Sequence, residues 1–141
     1  MNLKNSGYYI KRISDFVEAD ANRELEQFDI TFSQARILSY LLARKEKQTI
    51  QKDIEDFFEL KHPTVIGILQ RMEQKGFIVS EIDPKDRRQR IIRTTEQADY
   101  LEKEIDSHSA ELEKIMVQGM TAEEVLSLKQ LLYKVYKNIS K

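Results

Sequence analysis

The apolar residues of this 141-residue chain recur at helical spacing almost throughout, and the one long departure lies between Phe77 and Thr94. There, Phe77-Ile78-Val79-Ser80-Glu81-Ile82 and Arg90-Ile91-Ile92-Arg93-Thr94 read as two strands rich in β-branched residues. The intervening Asp83-Pro84-Lys85-Asp86-Arg87-Arg88 reads as a turn, with Pro84 pre-setting φ. Only 4 glycines and 2 prolines punctuate the chain, so few other breaks are expected. The fold class that follows is mainly α with one small β-hairpin.

Capping signals place the helices. A first amphipathic helix runs from about Ser6 to Phe28, with Tyr9, Ile10, Ile13, Phe16, Val17 and Leu25 as its apolar stripe. Thr31 followed by Gln34 is a capping-box pattern, and Ala35, Ile37, Leu38, Leu41 and Leu42 form the buried face of the helix it opens. Thr49 reads as the N-cap of a short third helix with Ile50, Ile54, Phe57 and Phe58 inward. A fourth begins near Pro63, where no N–H is needed, and ends at Gly76 as a C′ residue. After the hairpin, a fifth helix from Thr95 to about Val117 carries Ala98, Leu101, Ile105, Leu112, Ile115 and Met116, and Gly119 breaks it. Thr121 with Glu124 is a second capping box, opening a last helix with Val125, Leu128, Leu131, Leu132, Val135 and Ile139 on one face.

Composition removes several function classes. With no cysteine, disulfides, thiolate metal sites and a thiol-based redox sensor are all excluded. The 2 histidines, His62 and His108, lie far apart, which makes a metal site a poor reading; none is expected, and no cofactor is. No apolar run approaches the roughly 20 residues that span a bilayer, and Met1 to Gly7 lacks the apolar core of a signal peptide. A cytoplasmic protein without a membrane partner is the expectation. Nothing supports an enzyme, since there is no Gly-rich phosphate loop and no Gly-x-Ser-x-Gly nucleophile.

Three short helices followed at once by a hairpin form the winged helix-turn-helix layout, in which the second helix of the motif enters the DNA major groove. On a helical wheel of the fourth helix, Val65, Ile68, Leu69 and Met72 cluster on one side. Pro63, Gly67, Gln70 and Gln74 lie opposite, flanked by Ile66 and Arg71. Small residues and amides without an acid suit approach to base edges and phosphates. The plain alternative is the wet face of a surface helix. Gly67 weighs against it, because glycine inside a helix is about 1 kcal/mol worse than alanine and suggests a close neighbour on that face.

The hairpin carries the stronger signal. The net charge is only −1, yet Lys85, Arg87, Arg88, Arg90 and Arg93 face a single acid, Asp86, between positions 85 and 93. Arg87 and Arg88 sit at the turn of a β-ribbon, where side chains project furthest. Arginine forks onto phosphates and fits a narrow minor groove. A solubilising turn would mix its signs, whereas here the lone acid reads as an acceptor that orients a neighbouring arginine.

These stretches resemble a known family. Leu60-Lys61-His62-Pro63-Thr64-Val65-Ile66-Gly67-Ile68-Leu69-Gln70-Arg71-Met72-Glu73-Gln74-Lys75-Gly76-Phe77-Ile78 is similar to the recognition helix of the multiple-antibiotic-resistance regulator (MarR) family. Asp83-Pro84-Lys85-Asp86-Arg87-Arg88 resembles its wing signature. The resemblance implies that Arg88, with Arg87, enters the minor groove, and that Thr64, Gly67, Gln70 and Arg71 face the major groove. Lys61, His62, Lys85 and Arg90 complete the candidate DNA-binding set.

The resemblance also implies a homodimer on a pseudo-palindromic operator, with the first, fifth and sixth helices as its interface. Ile10, Ile13, Val17, Val125, Leu128, Leu131, Leu132, Val135 and Ile139 are the interface candidates. Residues 1–30 and 96–141 then serve dimerisation and 31–95 form the DNA-binding lobe, in one compact domain. A transcriptional repressor released by a small-molecule effector fits this pattern, with the effector and its site left open. The alternative is a winged-helix adaptor that binds protein instead of DNA. Two departures stand out: Thr94-Thr95 and Ala98 replace the family's Leu-Thr and following Gly, and Lys61 replaces a Ser or Thr cap.

Overall fold

The computed structural model describes residues 1–140. Its helices are α1 (Ser6–Glu24), α2 (Phe32–Ala43), α3 (Gln51–Phe58), α4 (His62–Gln74), α5 (Glu96–Met116) and α6 (Ala122–Ile139). Its strands are β1 (Thr49–Ile50), β2 (Ile78–Ile82) and β3 (Arg90–Thr94). The fold is a winged helix-turn-helix, built from α2, α3 and α4 with a small antiparallel sheet.

Local chemistry accounts for most boundaries. The Asn5 side chain accepts the Tyr8 N–H at 2.8 Å and opens α1. That helix stops at Glu24 instead of Phe28, because Leu25 turns into the core and Glu26–Phe28 tighten into a 3₁₀ turn. Asp29 then reverses the chain at φ 57°, a region that aspartate tolerates better than most residues. Both expected capping boxes form: Thr31 with Gln34, and Thr121 with Glu124. Gly76 and Gly119, at φ 85° and 80°, take the left-handed turns that follow α4 and α5.

The third helix begins differently from expectation. Thr49 is not its N-cap: it is buried in β1, and Ile50 holds the cap position. Isoleucine offers no acceptor, but the Asp53 carboxylate takes the Ile50 N–H at 3.0 Å. Thr49 and Ile50 pair with Ile92 and Ile91 of β3, so the hairpin gains a third strand in the order β1-β3-β2. Phe57 is not inward either. Its ring stacks at 4.4 Å on Tyr40 and remains 63% exposed, while Ile54 and Phe58, one turn apart, supply the inward face.

The first compact unit, Met1–His108, has one core in which Leu38, Ile54, Val65, Met72 and Phe77 are almost fully enclosed. Burying each such side chain contributes about 1.5–3 kcal/mol, which fixes α4 and the sheet to the body of the unit. His108 of α5 donates from Nε2 to Asp20 of α1 at 2.9 Å, and Asp20 also accepts from Arg23. The second unit starts at Ser109 and contains the end of α5 and all of α6, where Lys129 bridges to Glu113 at 3.2 Å. Among the described residues, no helix is long and apolar enough to cross a membrane.

Candidate nucleic-acid interface

The inner face of α4 matches the helical wheel. Val65, Leu69 and Met72 are buried and Ile68 packs against them. The opposite side leaves Pro63, Thr64, Gln70, Arg71 and Gln74 exposed. Lys61 is the N-cap residue and makes no side-chain cap, as a cation must. A methyl group added at Gly67 would meet only the flexible tip of Arg71, 3.9 Å away. Nothing within the described chain requires a glycine there, so its helix penalty has no internal compensation.

The wing is braced by its own carboxylates. Buried Asp83 accepts the Lys85 N–H at 2.9 Å, and its own N–H donates to the Gln89 carbonyl at 3.0 Å. Asp86 accepts from the Arg88 backbone at 3.1 Å and from the guanidinium at 3.0 and 3.2 Å. These hydrogen bonds, with the Arg88 charge, hold the Asp86 carboxyl below the usual aspartate range. The forked contact fixes the Arg88 plane while the side chain remains 90% exposed. Arg90 lies across the ribbon with Nε and Nη2 both directed at Ser80 Oγ, at 3.1 and 3.0 Å. Lys85 and Arg87 are exposed and make no ion pair among the described residues.

A groove of about 640 Å³ runs between α3–α4 and the wing, and it gathers four of the expected residues: His62, Gln70, Arg88 and Arg90. Lys61, Thr64, Gly67, Arg71, Lys85 and Arg87 lie outside it. Sequence reasoning missed two of its walls. Glu73, at the end of α4, accepts the Ser80 N–H at 3.1 Å and ties helix to wing. Glu55 of α3 lies 2.7 Å from His62 Nδ1. Neither contact has a sequence signal, because each joins different elements across a turn.

Apolar side chains remain uncovered elsewhere. On α1, Ile10 and Ile13 are exposed and Val17 is half-buried. On α6, Leu131, Leu132, Val135 and Ile139 are exposed, and Val125 and Leu128 are half-buried. Among the described residues, no three His, Asp or Glu side chains converge to hold a metal ion.

Comparison with known proteins gives a consistent answer. The MarR family profile matches residues 28–89, which span the helix-turn-helix and most of the wing. The structure of S. aureus MepR in complex with DNA superposes with a TM-score of 0.91 at 30% identity, over 98% of this chain and 100% of that one. The transcription regulator MarR from Oenococcus oeni PSU-1 is also 30% identical, with a TM-score of 0.75 over 94% of this chain and 99% of its own. The regulator SlyA shares the fold at 20% identity, with a TM-score of 0.87 over 96% of this chain and 94% of its own. A winged helix with this recognition helix, this Asp-Pro-Lys-Asp-Arg-Arg turn and end-to-end similarity to MepR belongs to the MarR family.

Proposed function

We propose that this protein is a sequence-specific DNA-binding transcriptional repressor that holds a pseudo-palindromic operator as a homodimer in the cytoplasm. The observation that carries the reading is the pairing of an acid-free outer face on α4 with a braced, exposed arginine turn on the wing. Gln70, Thr64, Gly67 and Arg71 address the major groove, while Arg87 and Arg88 reach the adjacent minor groove. Lys61, Lys85 and Arg90 add phosphate contacts, which set affinity and make it salt-dependent. S. aureus MepR, similar over its whole length, has been solved on DNA, which supports the same use of this surface.

The uncovered stripes on α1 and α6 support dimerisation, because long apolar helix faces in water favour a partner. Residues 1–30 and 96–141 then carry the interface and 31–95 the DNA-binding lobe. Two recognition helices would address half-sites about 34–36 Å apart, one turn of the duplex. Release by a small-molecule effector belongs to the same reading, and no catalytic role does. A winged-helix adaptor for another protein is the competing assignment, and it gives the braced arginines no purpose.

Selection of fragments from sheared source genome by the purified protein, at near-physiological salt, tests the reading. Wild type enriches a pseudo-palindrome and the Arg87→Ala/Arg88→Ala variant does not. Enrichment of no sequence by a folded dimer favours the adaptor.

A further inference from the structure

His62 is the first residue of α4, and its ring meets α3 at one point. Nδ1 lies 2.7 Å from Glu55 Oε2 and 3.2 Å from Gln51 Nε2, while Gln51 Nε2 is 3.3 Å from the same carboxylate oxygen. These distances fix where the hydrogens are. A carboxylate can only accept, so Nδ1 carries the proton and donates it to Glu55. Gln51 Nε2 can only donate, so its hydrogen goes to Glu55 as well. Partial burial pushes the Glu55 carboxyl up, but the hydrogen bonds from His62 and Gln51 outweigh it and hold the group below the ordinary glutamate range. Glu55 is therefore an anion at neutral pH.

Two consequences follow. The imidazole presents Nε2 outward, since the His62 side chain is 62% exposed and its other nitrogen is occupied. A neutral ring offers a lone pair at Nε2, which repels phosphate oxygen; a charged ring offers an N–H, which binds it. Glu55, for its part, places a negative charge beneath a helix end that has to approach a polyanion. Protonation of His62 cancels that charge locally. The other charged groups facing this position are Lys52 on α3, Lys61 just before the ring, Arg88 and Arg90 across the groove, and Glu73 in the last turn of α4. Apart from Glu73 these are cations, and a DNA phosphate arriving at Nε2 adds a negative partner that the charged ring can bind and the neutral ring cannot.

We propose that Glu55 is a positioning residue that locks His62 in its Nδ1–H form, so that His62 takes up a proton at Nε2 as it closes on a DNA phosphate and operator affinity rises with acidity. The inference rests on the DNA-binding reading and adds a regulation to it. Proton uptake on binding steepens affinity by at most about tenfold per pH unit for each half-site.

Two measurements test it, on the full chain at constant ionic strength. The first is operator affinity at pH 6, 7 and 8 for wild type, Glu55→Ala and His62→Gln. Wild type weakens about 3- to 10-fold per half-site from pH 6 to 8, His62→Gln is flat, and Glu55→Ala, which leaves Nδ1–H without an acceptor, shows a shallower slope. The second is the ¹⁵N shift pattern of the His62 ring in the free protein above pH 8, which shows the Nδ1–H tautomer in wild type and moves toward Nε2–H in Glu55→Ala. A purely structural Glu55 would leave both the tautomer and the slope unchanged. Wild type that binds its operator equally at pH 6 and 8, or a His62 ring found as Nε2–H, overturns the inference and leaves the repressor reading intact. Wild type that binds no duplex at any pH overturns both.

Discussion

The Glu73 carboxylate accepts the Ser80 backbone N–H at 3.1 Å, which ties the last turn of the recognition helix to the first long strand of the wing. The same serine holds Arg90 through its hydroxyl, so an acid, a serine and an arginine form one chain from helix to central strand. Glu73→Ala is expected to lower the unfolding free energy by about 1 kcal/mol and to speed exchange of the Ser80 amide. Glu73→Gln retains most of the protection, because an amide oxygen still accepts. Unchanged Ser80 exchange in the alanine variant would show that the hydrogen bond contributes nothing in solution.

Arg87→Ala/Arg88→Ala leaves fold and oligomeric state intact, since both side chains are exposed and pack on nothing in the core. Operator binding falls on the order of tenfold to a hundredfold per arginine, and the salt slope drops by about 1 for each phosphate that is no longer neutralised. Titration of a labelled operator at several salt concentrations measures both. A variant that binds normally removes the wing from the mechanism.

Asp86→Ala takes a negative charge off the proposed DNA surface, and simple electrostatics predicts tighter binding. The geometry predicts the reverse. Asp86 holds the Arg88 guanidinium plane and the Arg88 backbone, so its removal frees the side chain that the proposed function sends into the groove. Affinity should fall, and it should fall less than in the double arginine variant. The pH sign follows from the lowered carboxyl: the brace is present above the ordinary aspartate range and is lost as pH falls through the depressed value. Neutral solutions therefore keep the turn ordered.

Much of this is legible in the sequence, and the exceptions have physical causes. Caps at Thr31 and Thr121, the glycine stops at Gly76 and Gly119, and the buried face of α4 are local patterns, decided within one or two turns of chain. The pairing of Asp86 with Arg88 is equally local. The third strand is not legible, because Thr49-Ile50 is too short to show a period and exists only through its partners on β3. Glu55 escapes for a related reason: seven residues and a left-handed turn at Glu59 separate it from His62, and no spacing rule links them. Phe57 reads as inward in a helix too short to define its own face, and Tyr40 of α2 decides otherwise.

The α6 stripe gives a prediction of another kind. Leu131 and Val135 are exposed in the single chain, so Leu131→Asp or Val135→Asp disturbs little within it. In a dimer built on this face, either change buries an unpaired carboxylate and weakens association by at least about a hundredfold. Sedimentation at micromolar concentration distinguishes the cases. An intact dimer would place the interface elsewhere.

Ile50 is at once a rung of the sheet and the residue that opens α3. A hairpin of two strands is marginally stable by itself in water, and this one is stitched to the helix-turn-helix by that short third strand. Opening of the wing is thus divided into two classes. The amides of residues 83–89, at the tip, can fray without disturbing anything else. That of Ile92, which faces Thr49 on β1, can open only when β1 and the start of α3 open with it, so it should exchange at the rate of the core. The arginine-bearing tip can flex toward a duplex while its root stays as rigid as the body that carries it.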